Sequence, residues 1–348
     1  MQRYYTDISS GTVSYLATEG TGPSLLFLHG QSSCGQAFHH QLAYLGQSYH
    51  CIALDFLGHG ESSAAVDKQA YSLAGCQQQV MEFIEKLKLK KLIVIGHGLG
   101  GYVLNNALAE LSMVVGLVLI ASPPFNVDTS KAEFTSDPTL GLMYQAALND
   151  KQVTALTNHF VNEKKLTIAD WIEVFKAIEN TERGVRPALL ANADGANGVL
   201  LDDIKRVKQL SIPKMLLLGE NDVFIDQDYC HRLDSCGLFV QGCFVMADCQ
   251  HFPHLEAPVL VNQYLNDFIK ACFPTEVRYA YILTKNERSE KFSGRFLPKT
   301  KLAPRQVTIA VKATSVNSFD YKMSQGLLPH LVPEFPSILH SDVAGVVI

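Results

Sequence analysis

Unbroken apolar runs, not alternating ones, set the rhythm of this chain. "TVSYLAT", "SLLFLHG", "HCIALDF", "KLIVIG", "VVGLVLIAS", "PKMLLLGE" and "CFVMAD" are the strand candidates. A strand covered on both faces reads this way, as in a parallel sheet between two layers of helices. Helical patterns lie between the runs, such as "LAGCQQQVMEFIEKLKL" and "VLVNQYLNDFIKACF". The alternation spans residues 11–272 and predicts a doubly wound, mostly parallel α/β sheet.

The rhythm breaks between "ASPP" (121–124) and "PKMLLLGE" (213–220). That stretch holds helical sequence, such as "TIADWIEVFKAIEN", and no convincing strand. It is too long for a bare loop, so a helical cap over the C-terminal edge of the sheet is expected at about residues 123–208. A second boundary falls at Phe273-Pro274. Beyond it the pattern turns antiparallel, in "VRYAYILT" and "VTIAVKATSVN". The expected organisation is one domain over 1–272 and a small, incomplete β-rich segment over 273–348.

Composition narrows the partners. The chain has 348 residues, 47% apolar and 18% charged, with a net charge of -5. An acidic balance argues against nucleic acid or an anionic membrane as the main partner. No apolar run reaches membrane-spanning length, and "MQRYYTDISS" lacks the apolar core of a signal peptide. The eight cysteines form no C-x-x-C pair. Cys230, Cys236, Cys243 and Cys249 recur at similar intervals but fall on a helix, a loop and a strand, so no zinc cluster is expected. Reduced thiols and a cytoplasmic location follow.

The stretch "LIVIGHGLGG" (92–101) carries the chemical question. A strand, a glycine-dense turn and a helix are the setting of two motifs. Gly96, Gly98 and Gly101 fit the dinucleotide fingerprint G-x-G-x-x-G. The nucleophile elbow G-x-S-x-G fits everywhere except at Gly98, where serine belongs. A dinucleotide site needs an acidic residue at the end of the next strand, and that strand ends "LVLIASPP". The fingerprint also normally opens its domain, whereas strand-and-loop units precede this one.

Other loops favour the elbow. "LLFLHGQSS", "ALDFLGHGES", "LLLGENDVF" and "DCQHFPHLEAP" each follow a strand candidate. Together with the elbow they resemble the α/β-hydrolase family over residues 1–272. The resemblance implies an oxyanion loop at His29-Gly30, a "GHGxS" loop at Gly58 to Ser62, an acid at Asp222 and a general base at His251. The order nucleophile, acid, histidine is also that family's. On this reading Gly98 occupies the nucleophile position, and the backbone N–H groups of Leu99 and Gln31 are the oxyanion donors. His29 and His59 are expected to be structural, His97 to pack or hydrogen-bond, and His39-His40 to be solvated. Asp226 and Asp228 read as a helix cap, and Asp248 as a weaker rival for the acid.

Gly98 cannot form an acyl-enzyme. The resemblance therefore implies a serine ester hydrolase scaffold, impaired or inactive at its nucleophile, for a small ester, thioester or other carbonyl compound. No cofactor or metal is expected. Water activated by His251 and Asp222, or abstraction of a substrate proton, remains open as chemistry without a serine. A non-catalytic ligand- or partner-binding module is the alternative.

"VTIAVKATSVNSFDYKMSQGLLP" and "FPSILHSDVAGVVI" resemble a second family, the zinc-free quinone oxidoreductase branch of the medium-chain dehydrogenase/reductases, over about residues 277–348. Zinc-dependent branches carry a cysteine near Asn317-Ser318 and Gly-His-Glu near Leu339-His340-Ser341, and neither is intact here. A truncated hydrolase-oxidoreductase fusion is a further alternative, and the tail alone is expected to bind no NADPH.

Overall fold

A computed structural model describes residues 1–107, 113–124, 138–188, 212–226 and 243–273, the positions 204, 207, 210, 230 and 322, and the strand segments 277–283, 292–298, 309–314 and 343–347. The chain divides into two compact units, Met1–Asn266 and Asp267–Ile348.

The first unit is built on one eight-stranded sheet. Its strands are β1 (Gln2–Ile8), β2 (Gly11–Ala17), β3 (Ser24–Leu28), β4 (His50–Leu54), β5 (Leu92–His97), β6 (Val114–Ile120), β7 (Lys214–Gly219) and β8 (Cys243–Met246). Their spatial order is β1-β2-β4-β3-β5-β6-β7-β8. β1 pairs antiparallel with β2, and β2 with β4; every later pair is parallel. The chain moves from β3 out to β4, then crosses back to lay β5 on the other side of β3. The loops after β3 and β5 therefore flank the point where the winding reverses, the usual crevice of an open α/β sheet. β5 and β7 are buried along their whole length, which is why their sequences are continuous apolar runs.

β1 departs from the sequence reading, which began the sheet at residue 11. Its sequence, "QRYYTDI", is mostly polar because it is an edge strand whose side chains are largely exposed. Ordered pairing with β2, from Gln2 opposite Ala17 to Ile8 opposite Gly11, holds it in place.

α1 (His39–Leu45), α2 (Leu73–Lys86) and α3 (Leu99–Ala107) fill the early crossovers. Ser72 caps α2 by accepting from the Gly75 N–H. Cys76, Val80, Phe83 and Ile84, at helical spacing, bury that helix against the core.

The insertion between β6 and β7 is helical among its described residues. A 3-10 turn at Pro138–Tyr144 precedes α4 (Asp150–Phe160) and α5 (Ile168–Asn180). Asn149 and Gln152 form a reciprocal capping box at the start of α4. Val153, Leu156 and Phe160 of α4, with Val174 and Ile178 of α5, close on Phe224, Phe252 and Leu255. This second apolar cluster seats the cap on the loops after β7 and β8. A short helix, α6 (Pro253–Glu256), follows β8, and α7 (Pro258–Cys272) follows it.

In the second unit, β9 (Val277–Leu283) pairs antiparallel with β10 (Phe292–Pro298), and β11 (Ile309–Thr314) with β12 (Val343–Val347). Each pair is a separate two-stranded sheet.

One buried charge organises the early strands. Asp55, directly after β4, is fully buried. Its carboxylate accepts from Arg3 Nη1 at 2.7 Å, from the Ser14 hydroxyl, from the Gly35 N–H at 2.6 Å and from the Glu61 N–H at 3.1 Å. Those partners lie on β1, on β2 and on the loops after β3 and β4. An amide at position 55 would put an NH2 group among these donors. Asp55→Asn is therefore expected to lower the unfolding free energy by at least about 2 kcal/mol in urea denaturation. Arg3→Ala should lower it by less, because the Arg3 side chain is already 26% exposed.

Candidate active site

Gly98 sits at the tip of the turn between β5 and α3, with φ +49°. This is the left-handed region, which costs a residue with a β-carbon roughly 1–2 kcal/mol. Backbone bonds fix the turn on both sides. The Gly98 N–H donates to Ile120 O at 3.0 Å, and the Gly100 N–H to His29 O at 3.1 Å. A β-carbon on Gly96 would stand 2.5 Å from Gly101 N, and one on Gly100 would stand 2.3 Å from Leu28 O. Both glycines are therefore required by close approach. Gly98 differs, since a β-carbon there would meet only Gly30 Cα and His251 Nε2, each at 3.5 Å. Sterically, the position accommodates a side chain pointing at a histidine.

That histidine is oriented for a base. His251, in the loop after β8, places Nδ1 2.8 Å from Asp222 Oδ2. The carboxylate takes the Nδ1–H and leaves the Nε2 lone pair on the side of Gly98. Asp222 lies just beyond β7, is itself buried, and accepts the Phe224 N–H at 2.9 Å through its other oxygen. Phe160 stacks on the His251 ring and Phe224 meets it edge-on. An apolar enclosure of this kind strengthens the Asp–His bond by excluding water. Asp248 is exposed; its N–H donates to Glu220 at 2.9 Å and its carbonyl accepts from Asn162 at 3.0 Å.

Two backbone donors follow directly on Gly98 and Gly30, the glycines that approach each other here. Among the described residues, the N–H groups of Leu99 and Gln31 have no hydrogen-bond partner. The Gln31 side chain donates to Met143 O on the cap. The loop behind Gln31 is held by two neutral histidines. His29 donates from Nδ1 to Gly30 O at 2.7 Å and accepts the Phe56 N–H on Nε2 at 3.0 Å. His59 accepts the Ser32 N–H at 3.3 Å and bonds Leu57 O at 3.2 Å. Burial pulls the pKa of both down, that of His59 far below the usual 6.5. His97, next to Gly98, is locked by its Nε2–H on His251 O at 2.9 Å. Burial and the neighbouring His254 and His251 hold it neutral.

His39 and His40 are not solvated as the sequence suggested. Both are half-buried, and both face Asp170 on α5. The cap supplies a neighbour that a local reading of "FHHQ" cannot contain. Asp226 offers its carbonyl to the Cys230 N–H at 3.2 Å, while Asp228 and Cys236 lie outside the described residues.

Three buried polar residues were missed by the sequence reading. Glu256 accepts the N–H of Asn162, on the cap, at 2.8 Å and that of Gln250, beside His251. Burial raises its pKa to about 7, and the nearby Asp222 charge adds to the rise. Arg186, 2% exposed, donates from Nε to the Ser32 hydroxyl at 2.9 Å and from Nη2 to Ile178 O. Burial lowers its pKa to about 10. His254, stacked between Phe38 and Phe252, is driven down to about 3 by burial and by His251. Glu256 and His254 sit inside "HFPHLEAP", but nothing local marks them as buried.

The sheet order, the glycine turn and the Asp–His pair together define a hydrolase scaffold. Residues 25–264 match the Alpha/beta hydrolase family, and the chain belongs to it. Human epoxide hydrolase 4 is 23% identical over 304 residues, covering 76% of this chain and 81% of that protein. The serine hydrolase-like protein of Danio rerio is 24% identical over 274 residues, covering 73% of this chain and 84% of that protein. Among solved structures, a serine-to-glycine mutant of the N-acyl homoserine lactonase AidH, complexed with N-hexanoyl homoserine lactone, aligns with TM-score 0.72 and 25% identity. It covers 79% of this chain and 100% of that one.

Two outcomes are expected from this geometry. Gly98→Ala should lose only about 1 kcal/mol in thermal or urea unfolding, the strain of its left-handed backbone. Gly96→Ala, which must displace backbone, should lose about 3 kcal/mol. The second concerns pH. A carboxyl raised to about 7 in the fold from the usual 4.5 binds its proton more tightly when folded. Its contribution to stability is therefore present below about pH 4.5 and declines as pH rises towards 7. Glu256→Gln should flatten the fall in melting temperature between pH 5 and 7 compared with the parent, read by thermal melts across roughly that window.

Proposed function

We propose that the first unit is an ester-hydrolase-type site for small carbonyl compounds (esters, thioesters or lactones) whose nucleophile position is Gly98. The observation that carries this reading is the placement of His251 Nε2 3.5 Å from where a β-carbon of residue 98 would stand, with Nδ1 on Asp222. A serine hydroxyl there would lie within reach of that nitrogen. Leu99 and Gln31 would donate to the oxyanion of an attacked carbonyl. Without the hydroxyl, the site binds its ligand and turns it over slowly, through a water activated by His251. The serine-to-glycine lactonase complexed with its N-hexanoyl lactone supports ligand retention at a site of this kind.

Purely non-catalytic binding is the second reading, favoured by Gly98 itself. For the tail, the described residues hold two separate antiparallel strand pairs, and the likeness to an oxidoreductase stays a proposal that rests on the sequence resemblance over about residues 277–348.

Gly98→Ser is expected to raise hydrolysis of short p-nitrophenyl esters at least about 10³-fold over the parent, with Gly98→Ala giving no such gain. His251→Ala in the serine background should remove the gain. A folded serine variant as inert as the parent would sink the hydrolytic assignment.

A further inference from the structure

Away from Gly98, the start of α1 and the start of the cap helix α5 bring together two imidazoles and a carboxylate. His39 Nε2 lies 3.1 Å from Asp170 Oδ1, and His40 Nε2 lies 3.6 Å from Asp170 Oδ2. One ligand atom from each of the three fits within 4.8 Å of the others. We propose that His39, His40 and Asp170 bind a divalent transition-metal cation of the zinc class, and that the bound ion pins the cap to the first helix of the core.

The donor set suits such an ion. Imidazole nitrogens with one carboxylate oxygen select zinc and its neighbours over calcium or magnesium. Ligands about 2.0–2.1 Å from a tetrahedral ion stand about 3.4 Å from one another. The two imidazoles approach different oxygens of Asp170 at separations on either side of that value, and rotation of the side chains brings one oxygen and both nitrogens onto a common ion.

The surroundings also fit. His39 Nδ1 stands 3.0 Å from Gln36 O. Donation to that carbonyl fixes the tautomer that leaves Nε2 free to ligate, the usual outer support of a metal-bound histidine. Asp170 is 6% exposed and held by the Thr167 hydroxyl at 2.7 Å. Among the described residues no lysine or arginine pairs with it, and its ion-pair partners are the two imidazoles. A small cavity of about 10 Å³, lined in part by Cys34, His39, Asp170 and Glu173, adjoins the cluster. It has room for about one water, which can complete the coordination. Both histidines are partly open to solvent, which gives the ion a way in.

The test is titration of the whole chain with ZnCl2 by calorimetry, with CoCl2 as a spectroscopic probe. One ion per chain is expected at micromolar affinity or tighter, with a rise in melting temperature. Asp170→Asn should weaken binding at least about tenfold, and His39→Ala/His40→Ala should abolish it and the thermal shift. The cobalt form should show d–d absorption without a thiolate charge-transfer band, which separates this site from the free cysteines. His40→Ala, at a partly exposed position, provides the same comparison if the double variant does not fold. Equal binding by the histidine variants, a thiolate band, or no binding at micromolar zinc would each overturn the proposal.

Discussion

The buried carboxylate of Asp55 is the constraint on which the rest of this fold depends. A charge removed from water must be met by donors on every side. Here Arg3, Ser14 and two loop N–H groups meet it. The consequence reaches the site. Gly35 belongs to the loop that also carries Gln31 and Ser32, and Glu61 to the loop that carries His59. His59 and Arg186 then take hold of Ser32 from the other side. The position of the Gln31 N–H is thus set by polar contacts that never touch it. A backbone donor can be aimed only by fixing the loop around it, and this loop is fixed by charge as well as by packing.

Much of the sheet is legible in sequence because parallel strands covered on both faces must be apolar throughout. β3 to β7 are read in this way with little ambiguity. β1 escapes because an edge strand needs apolar residues only where it faces the core, and its pattern is broken by Arg3, which is used for Asp55. The Asp–His pair is legible because each member ends a strand run, and sheet topology brings those ends together. Glu256, Arg186 and the His39–His40–Asp170 cluster are not. Their burial is created by partners far along the chain, and a polar residue carries no local mark of whether water reaches it.

The glycine turn separates geometry from chemistry. Its left-handed tip and its crowded flanks are held by backbone bonds to β6 and to the loop after β3. None of these bonds involves a side chain at position 98. A serine there would be strained, and the scaffold would have to offset that strain. Glycine adopts the same backbone without it. The turn therefore keeps its shape whether or not position 98 carries a side chain, because the backbone bonds that hold it involve none.

What remains then governs the outcome. In the proposed reading, the base and the oxyanion donors act without a covalent step. Triads stripped of one member keep roughly a 10³ to 10⁴-fold advantage over water from these parts alone. The cap and the apolar cluster of Phe160, Phe224 and Phe252 pack apart from position 98, where a β-carbon would meet only Gly30 and His251. Losing the serine removes transition-state stabilisation and leaves ground-state contacts in place. In that reading the balance shifts from turnover towards residence. The cap helices α4 and α5 are seated on the loops that carry Asp222 and His251. That seating rests on the apolar cluster under the cap and on what joins α5 to α1.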